Sequence, residues 1–122
     1  MPSLSASHQA APVYLIVLRE VVIAQDLSLT ITDHDPEAVV LLATTSAEAE
    51  QMLAGVEALV LAFVVADPAV FASSGLARAI AARGGRAVLL GNEAEAHGPG
   101  EGWQVLDQPF NTDAVLAHLV NH

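Results

Sequence analysis

The sequence predicts a doubly wound α/β fold, in which five short parallel strands are joined by helices and covered on both faces. Three observations predict it. Short β-branched apolar runs alternate with longer amphipathic segments along the chain. The runs are apolar on nearly every residue rather than on alternate ones, as strands buried on both faces require. The chain has 122 residues, 53 % of them hydrophobic, which suits one domain with one well-filled core.

Val13-Tyr-Leu-Ile-Val-Leu18 is the first such run and reads as a buried strand. In Glu20 to Thr32, Ile23, Leu27 and Ile31 recur every four residues, the period of a helix. Leu27, Leu29 and Ile31 also alternate with polar residues as a strand would, and the length of the segment favours helix. Asp33-His34-Asp35-Pro36 is expected to break the chain. Ala38 to Ala43 is the second strand. Thr45-Ser-Ala-Glu48 then has capping-box spacing and starts a helix that carries Met52 and Leu53 inward and stops at Gly55.

Ala58 to Val65 is the most apolar run and is placed centrally. Asp67-Pro68 opens a loop. Phe71 to Arg83 is expected as one helix, with Ala72, Leu76, Ala79 and Ile80 on one face and Gly84-Gly85 as its stop. Arg86 to Leu90 is the fourth strand. Glu93 to His97 has room for one or two helical turns before Gly98-Pro-Gly100. Trp103 to Leu106 is the fifth strand. Asn111 caps a last helix whose stripe is Val115, Leu116, Leu119 and Val120. The pattern βαβαβαβ(α)βα gives a three-layer, flavodoxin-like sandwich of strand order 2-1-3-4-5, its fourth helix short or missing. A tail over residues 1–12 is expected to precede a single domain over 13–122. Chemistry in such a sheet belongs at the carboxyl ends of the strands, near the reversal of strand order.

Composition removes several function classes. No cysteine is present, which excludes disulfides and thiolate metal sites. The net charge is −10, and all four basic residues are arginines, Arg19, Arg78, Arg83 and Arg86. Such a surface repels phosphate backbones and anionic lipid, so neither nucleic acid nor membrane is an expected partner. The longest apolar run, Ala58–Ala66, is half of the ~18 residues that read as a spanning helix. No basic-then-apolar leader opens the chain, and a cytoplasmic location is expected.

Several strings resemble the response-regulator receiver domain of bacterial two-component signalling. Val105-Leu-Asp-Gln-Pro-Phe110 before a capped helix is similar to the strand, Lys-Pro-Phe and helix that end receivers. Arg19-Glu-Val-Val-Ile-Ala-Gln-Asp-Leu27 is similar to their first turn and helix, and Asp67-Pro-Ala-Val-Phe71 through Ala82-Arg-Gly84 to the third loop and helix of one subgroup. The resemblance covers Val13 to Val120. It implies an acid pair for Mg²⁺ after the first strand, a phosphoacceptor Asp ending the third, a hydroxyl ending the fourth and a Lys after the fifth. These supply oxygen ligands for the metal and positive charge for the phosphoryl oxygens. The matching strings put Leu18 and Arg19 at the acid pair, Ala62 at the acceptor, Gly91 at the hydroxyl and Gln108 at the lysine. Val105 falls on the aromatic switch position, and Gln108-Pro109 on a bond that the family makes cis. Every functional position departs from the family pattern.

The remaining polar motifs each have a plainer reading. Asp67 is a displaced phosphoacceptor or, more simply, a loop cap before Pro68. Arg19 either replaces the missing cations by pairing with Glu20 or Asp67, or is solvated. Asp33-His34-Asp35 reads as a polar turn, since adjacent side chains diverge. His118 and His122 share a helix face without a third ligand. Gly98-Pro-Gly-Glu-Gly102 precedes a strand and carries an acid, unlike a phosphate cradle. Ser73-Ser-Gly75 is expected inside a helix, which leaves no nucleophile elbow.

The reading is therefore a non-enzymatic pseudo-receiver that works by protein–protein interaction, with no cofactor and no metal. Its expected partner is a histidine kinase, a phosphotransfer protein or another regulator, and low charge density also accommodates a homodimer. The resemblance places the contact surface at Trp103, Val105, Asp107 and the exposed side of Thr112 to His118. A second surface would be the outer side of the first helix, at Gln25, Ser28 and Thr32. The alternatives are a working response regulator with a non-standard phosphoacceptor and a small-ligand-binding flavodoxin-like domain.

Overall fold

The structure, a computed structural model, describes residues 11–98, 100, 103–106 and 112–120. In chain order its elements are β1 (Val13–Val17), α1 (Val21–His34), β2 (Val39–Ala43), α2 (Ser46–Leu53), β3 (Leu61–Val65) and α3 (Pro68–Ala72). There follow α4 (Gly75–Ala82), β4 (Arg86–Leu90), α5 (Asn92–His97), β5 (Trp103–Val105) and α6 (Thr112–Val120). The strands form one sheet of order β2-β1-β3-β4-β5, and every neighbouring pair is parallel.

The pleat sorts each strand into two cores. Leu15, Val17, Ala62, Val64, Ala87 and Leu89 point to one face, where Ala49 and Leu53 of α2 and Leu76 and Ile80 of α4 cover them. Tyr14, Ile16, Leu18, Leu61, Phe63, Val88 and Leu90 point to the other, beneath Leu27 and Ile31 of α1 and Val115 and Leu119 of α6. Strands sandwiched in this way need no polar face, which is why they read as continuous apolar runs. Among the described residues no helix is long and apolar enough to cross a membrane.

Four expectations need correction. The first helix runs on through Asp33 and His34, and Asp35 closes it by donating its N–H to the Ile31 carbonyl at 2.8 Å. Its outermost residues include Val22, Gln25, Asp26 and Leu29, whereas Ser28 and Thr32 are half-buried. The third strand starts at Leu61 rather than Ala58. The helix expected over Phe71–Arg83 begins earlier and is two helices, because Pro68 and the Asp67 cap start α3 and Ser74 starts α4. Ser74 adopts an extended backbone, accepts from Ala77 N at 3.1 Å and donates to the Phe71 carbonyl at 2.7 Å, so it lies between the helices, not within one.

The capping box forms as the spacing requires. Thr45 Oγ1 accepts from Glu48 N, and Glu48 Oε1 accepts from Thr44 N at 2.8 Å. The fourth predicted helix is present as the six residues of α5, between Gly91 (φ 107°) and Gly98 (φ 80°). At the opposite end of the sheet Arg83 ties three segments together. Its Nε donates to the Leu53 and Val56 carbonyls and its Nη1 to the Ala79 carbonyl, all at 2.8 Å.

Candidate functional site

Strand order reverses between β1 and β3, so the carboxyl ends of those strands form the crevice in which this fold places its chemistry. Val17 pairs with Val64, which sets Leu18 level with Val65. Leu18 is 4 % exposed and packs into the core beneath α1, its N–H bonded to the Ala43 carbonyl. Arg19 and Glu20 are exposed. The expected pairing of Arg19 with Glu20 or Asp67 is not formed, and Arg19 has no hydrogen bond or ion pair with any described residue.

Ala62 is not at this rim. It is the second residue of β3, fully buried, three positions short of the strand end. The residue that β3 brings to the crevice is Val65, 46 % exposed. The missed signal was the start of the strand, since the apolar run begins before the sheet does. Gly91 stands beside Val65, and a Cβ built on it would lie 3.4 Å from Val65 Cγ1. Gln108 and the Gln108-Pro109 bond fall outside the described residues.

Val17, Leu18, Arg19, Glu20, Thr44, Thr45, Ser46 and Val65 line an open cleft of about 480 Å³ at the rim. The threonines already serve the capping box, Thr44 Oγ1 lying 3.2 Å from Glu48 Oε1. Asp67 Oδ1 accepts from Ala69 N at 3.0 Å, so Asp67 is a cap, but of the helix α3 rather than of the expected loop. Among the described residues no group of three or more His, Cys, Asp or Glu is arranged to hold a metal ion. The described rim therefore offers one guanidinium, the lone carboxylate of Glu20, hydroxyls and aliphatic carbon where capture of a phosphoryl group needs clustered oxygens.

The residues expected at the contact surface do not share one face. Trp103 and Val105 point to the α2–α4 side and pack against its core. The Trp103 indole donates Nε1–H to the Gly98 carbonyl at 3.1 Å and meets the His97 ring edge-on, with centroids 5.6 Å apart. A Cβ on Gly100 would come within 2.5 Å of the same indole, so this position admits only glycine without a shift. Trp103 thus fastens the α5–β5 connection and is half-buried. It also walls a shallow pocket of about 260 Å³ with Phe71, Arg78 and Ile80.

His118 lies across the sheet on α6, whose Val115 and Leu119 belong to the other core. It pairs with Gln104, a residue that sequence reasoning passed over. Gln104 Oε1 accepts from Arg86 Nη2 at 2.9 Å and lies 3.0 Å from His118 Nδ1. Because the guanidinium fixes the oxygen toward this side, Nδ1 must carry a hydrogen. Burial, and then the Arg86 charge, hold the His118 pKa below its ordinary value, against a backbone hydrogen bond at Val105 that raises it. Thr112 opens α6, and Asp107 lies outside the described residues.

No family model matches the chain, and no curated protein does. Among solved structures it is similar to the solution structure of the BeF3-activated conformation of SdrG from Pseudomonas melonis Fr1. The TM-score is 0.64 at 24 % identity, over 91 % of this chain and 96 % of that one. Together with the strand order, this likeness establishes the fold as a flavodoxin-like, receiver-like sandwich.

Proposed function

We propose that this chain is a pseudo-receiver of two-component signalling, a cytoplasmic module that acts by binding a protein partner and takes no phosphoryl group. The observation that carries this reading is the composition of the rim: Leu18, Arg19 and Val65 occupy the tips of β1 and β3. A divalent ion needs hard oxygen ligands, and an exposed guanidinium at the same point repels it. An acyl phosphate needs a carboxylate, and neither β3 residue considered for that role, Ala62 or Val65, has one. The receiver-like fold supports the signalling context, and the neighbour's activation by BeF3, a phosphoryl mimic, supplies the contrast. The partner is a histidine kinase, a phosphotransfer protein or another regulator, and the chain itself catalyses nothing.

The test is incubation with acetyl phosphate and Mg²⁺ followed by intact mass measurement, and titration with BeF3 and Mg²⁺ followed by amide NMR. The mass should not change, and the amides of Leu18, Arg19 and Val65 should not shift. A stoichiometric mass increase that Asp67→Asn abolishes would overturn the proposal in favour of a working receiver with a displaced acceptor.

A further inference from the structure

Among the described residues β2 is an edge strand, paired with β1 and with no other strand. The Val39 N–H donates to the Pro12 carbonyl, and the Ala43 carbonyl accepts from the Leu18 N–H. Odd-numbered residues of β2 therefore face β1, and the pleat turns the N–H and C=O of Val40 and Leu42 outward. The outward N–H groups at both ends of this row are bonded within the chain. Ala38 N–H is bonded to the Asp35 carbonyl, and Thr44 N–H to Glu48 Oε1. In the middle of the edge the N–H and C=O groups of Val40 and Leu42 have no partner among the described residues.

Among the described residues this edge carries neither a charge on the strand nor a proline nor a covering helix. Ala38 to Ser46 contains no charge and no proline, in a chain of net charge −10. No helix overhangs the edge, since Leu42 on the α1 side and Val39 on the α2 side are each 43 % exposed. We propose that this edge is a homodimer interface, at which β2 pairs antiparallel with β2 of a second copy and the two sheets become one of ten strands.

Backbone parity fixes the register that joins the two open donors to the two central acceptors. With Leu41 on the twofold axis, Val40 lies opposite Leu42 of the second copy, and each such pair exchanges two main-chain hydrogen bonds. The two pairs use both open donors and both central acceptors of each copy. A twofold parallel pairing cannot, because it would direct Val40 to the neighbours of its counterpart, and those face β1. The interface is isologous and closes on itself. It also brings no carboxylate of the strand against its own copy, which an acidic chain must avoid when it self-associates. The pairing rests on this edge and not on the signalling role proposed above.

Sedimentation of the full chain across a concentration series should show a dimer. Leu42→Lys, at a position exposed in the single copy, should give a monomer with an unchanged circular dichroism spectrum. The second measurement uses the lack of native cysteine. Leu41 faces Leu41 of the second copy as a non-hydrogen-bonded pair, with Cα atoms ~4.5 Å apart and within the span of a disulfide. Leu41→Cys should therefore oxidise to a covalent dimer, whereas Leu29→Cys, on the exposed side of α1, should not. A chain that stays monomeric at every concentration overturns the proposal. So does a dimer that resists Leu42→Lys and leaves Leu41→Cys uncrosslinked. A dimer that Leu42→Lys dissociates without crosslinking through Leu41→Cys overturns the register.

Discussion

Leu18 and Gly91 are each committed at the rim, one to core packing and the other to a backbone conformation. Leu18 is 4 % exposed, and its side chain fills the core beneath α1. Leu18→Asp would bury a carboxylate without a partner and should cost about 3–5 kcal/mol in a urea titration. Gly91 adopts φ 107° and ψ 168°, a region that only glycine occupies comfortably. Gly91→Thr, which restores a hydroxyl at this strand end, should cost about 1–3 kcal/mol through backbone strain. A stable, fully folded Leu18→Asp variant would mean that the rim is less committed to packing than its burial implies. His118 gives a residue-scale prediction of a different kind. Its pKa is lowered in the fold by burial and by Arg86. The unfolded chain then binds the proton more readily, so this group removes stability as pH falls through and below its ordinary value near ~6.5. Urea midpoints of the parent should drop more between about pH 7.5 and pH 5.5 than those of His118→Gln, and parallel drops would exclude His118 as the source.

At the scale of the element, the break between α3 and α4 turns on one hydroxyl. Ser74 Oγ caps α4 through Ala77 N and donates to the last turn of α3 at Phe71 O. Ser74→Ala removes both bonds and should cost about 1–2 kcal/mol, a little more than an ordinary cap, with Ser74→Thr recovering most of it. Thermal melts of the three proteins check this, and equal midpoints would show that packing alone holds the break. The break was hard to read in the sequence because Ala72, Leu76, Ala79 and Ile80 keep a helical spacing across it. Apolar periodicity records which residues face the core, not whether the backbone between them is continuous. The same limit moved the acceptor position onto Ala62. Ala58 to Val65 is uniformly apolar, and nothing in it marks where the chain enters the sheet. Signals with a local geometric cause fared better: the Thr45 cap and the Gly84-Gly85 stop form where their residues stand, although Asp67-Pro68, read as a loop, starts a helix. The strand order was legible because alternating runs of this length leave few right-handed, unknotted arrangements. The Gln104 bridge joins residues from three separated elements, and no local pattern announces it.

For the whole molecule, charge is the property least explained by packing. Fourteen acidic residues face four arginines in 122 residues. A domain of this size has a radius of gyration near ~13 Å. At about 10 mM salt the Debye length is ~30 Å, so every carboxylate feels nearly all the others, while at about 0.1 M it shrinks to ~10 Å. Unfolding separates these charges, so their repulsion lowers stability most where screening is weakest. The melting temperature should therefore rise by several degrees from about 10 mM to about 0.3 M NaCl, most steeply at the low end where the Debye length changes fastest. A protein held together by exposed ion pairs would show the reverse slope. Because screening also favours association of like-charged copies, the series belongs on the Leu42→Lys variant, which separates folding from the dimer equilibrium. A melting temperature that is flat in salt, or that falls, would mean that the carboxylates are spaced widely enough, or paired closely enough with the four arginines, for the net charge to exert no strain on the fold.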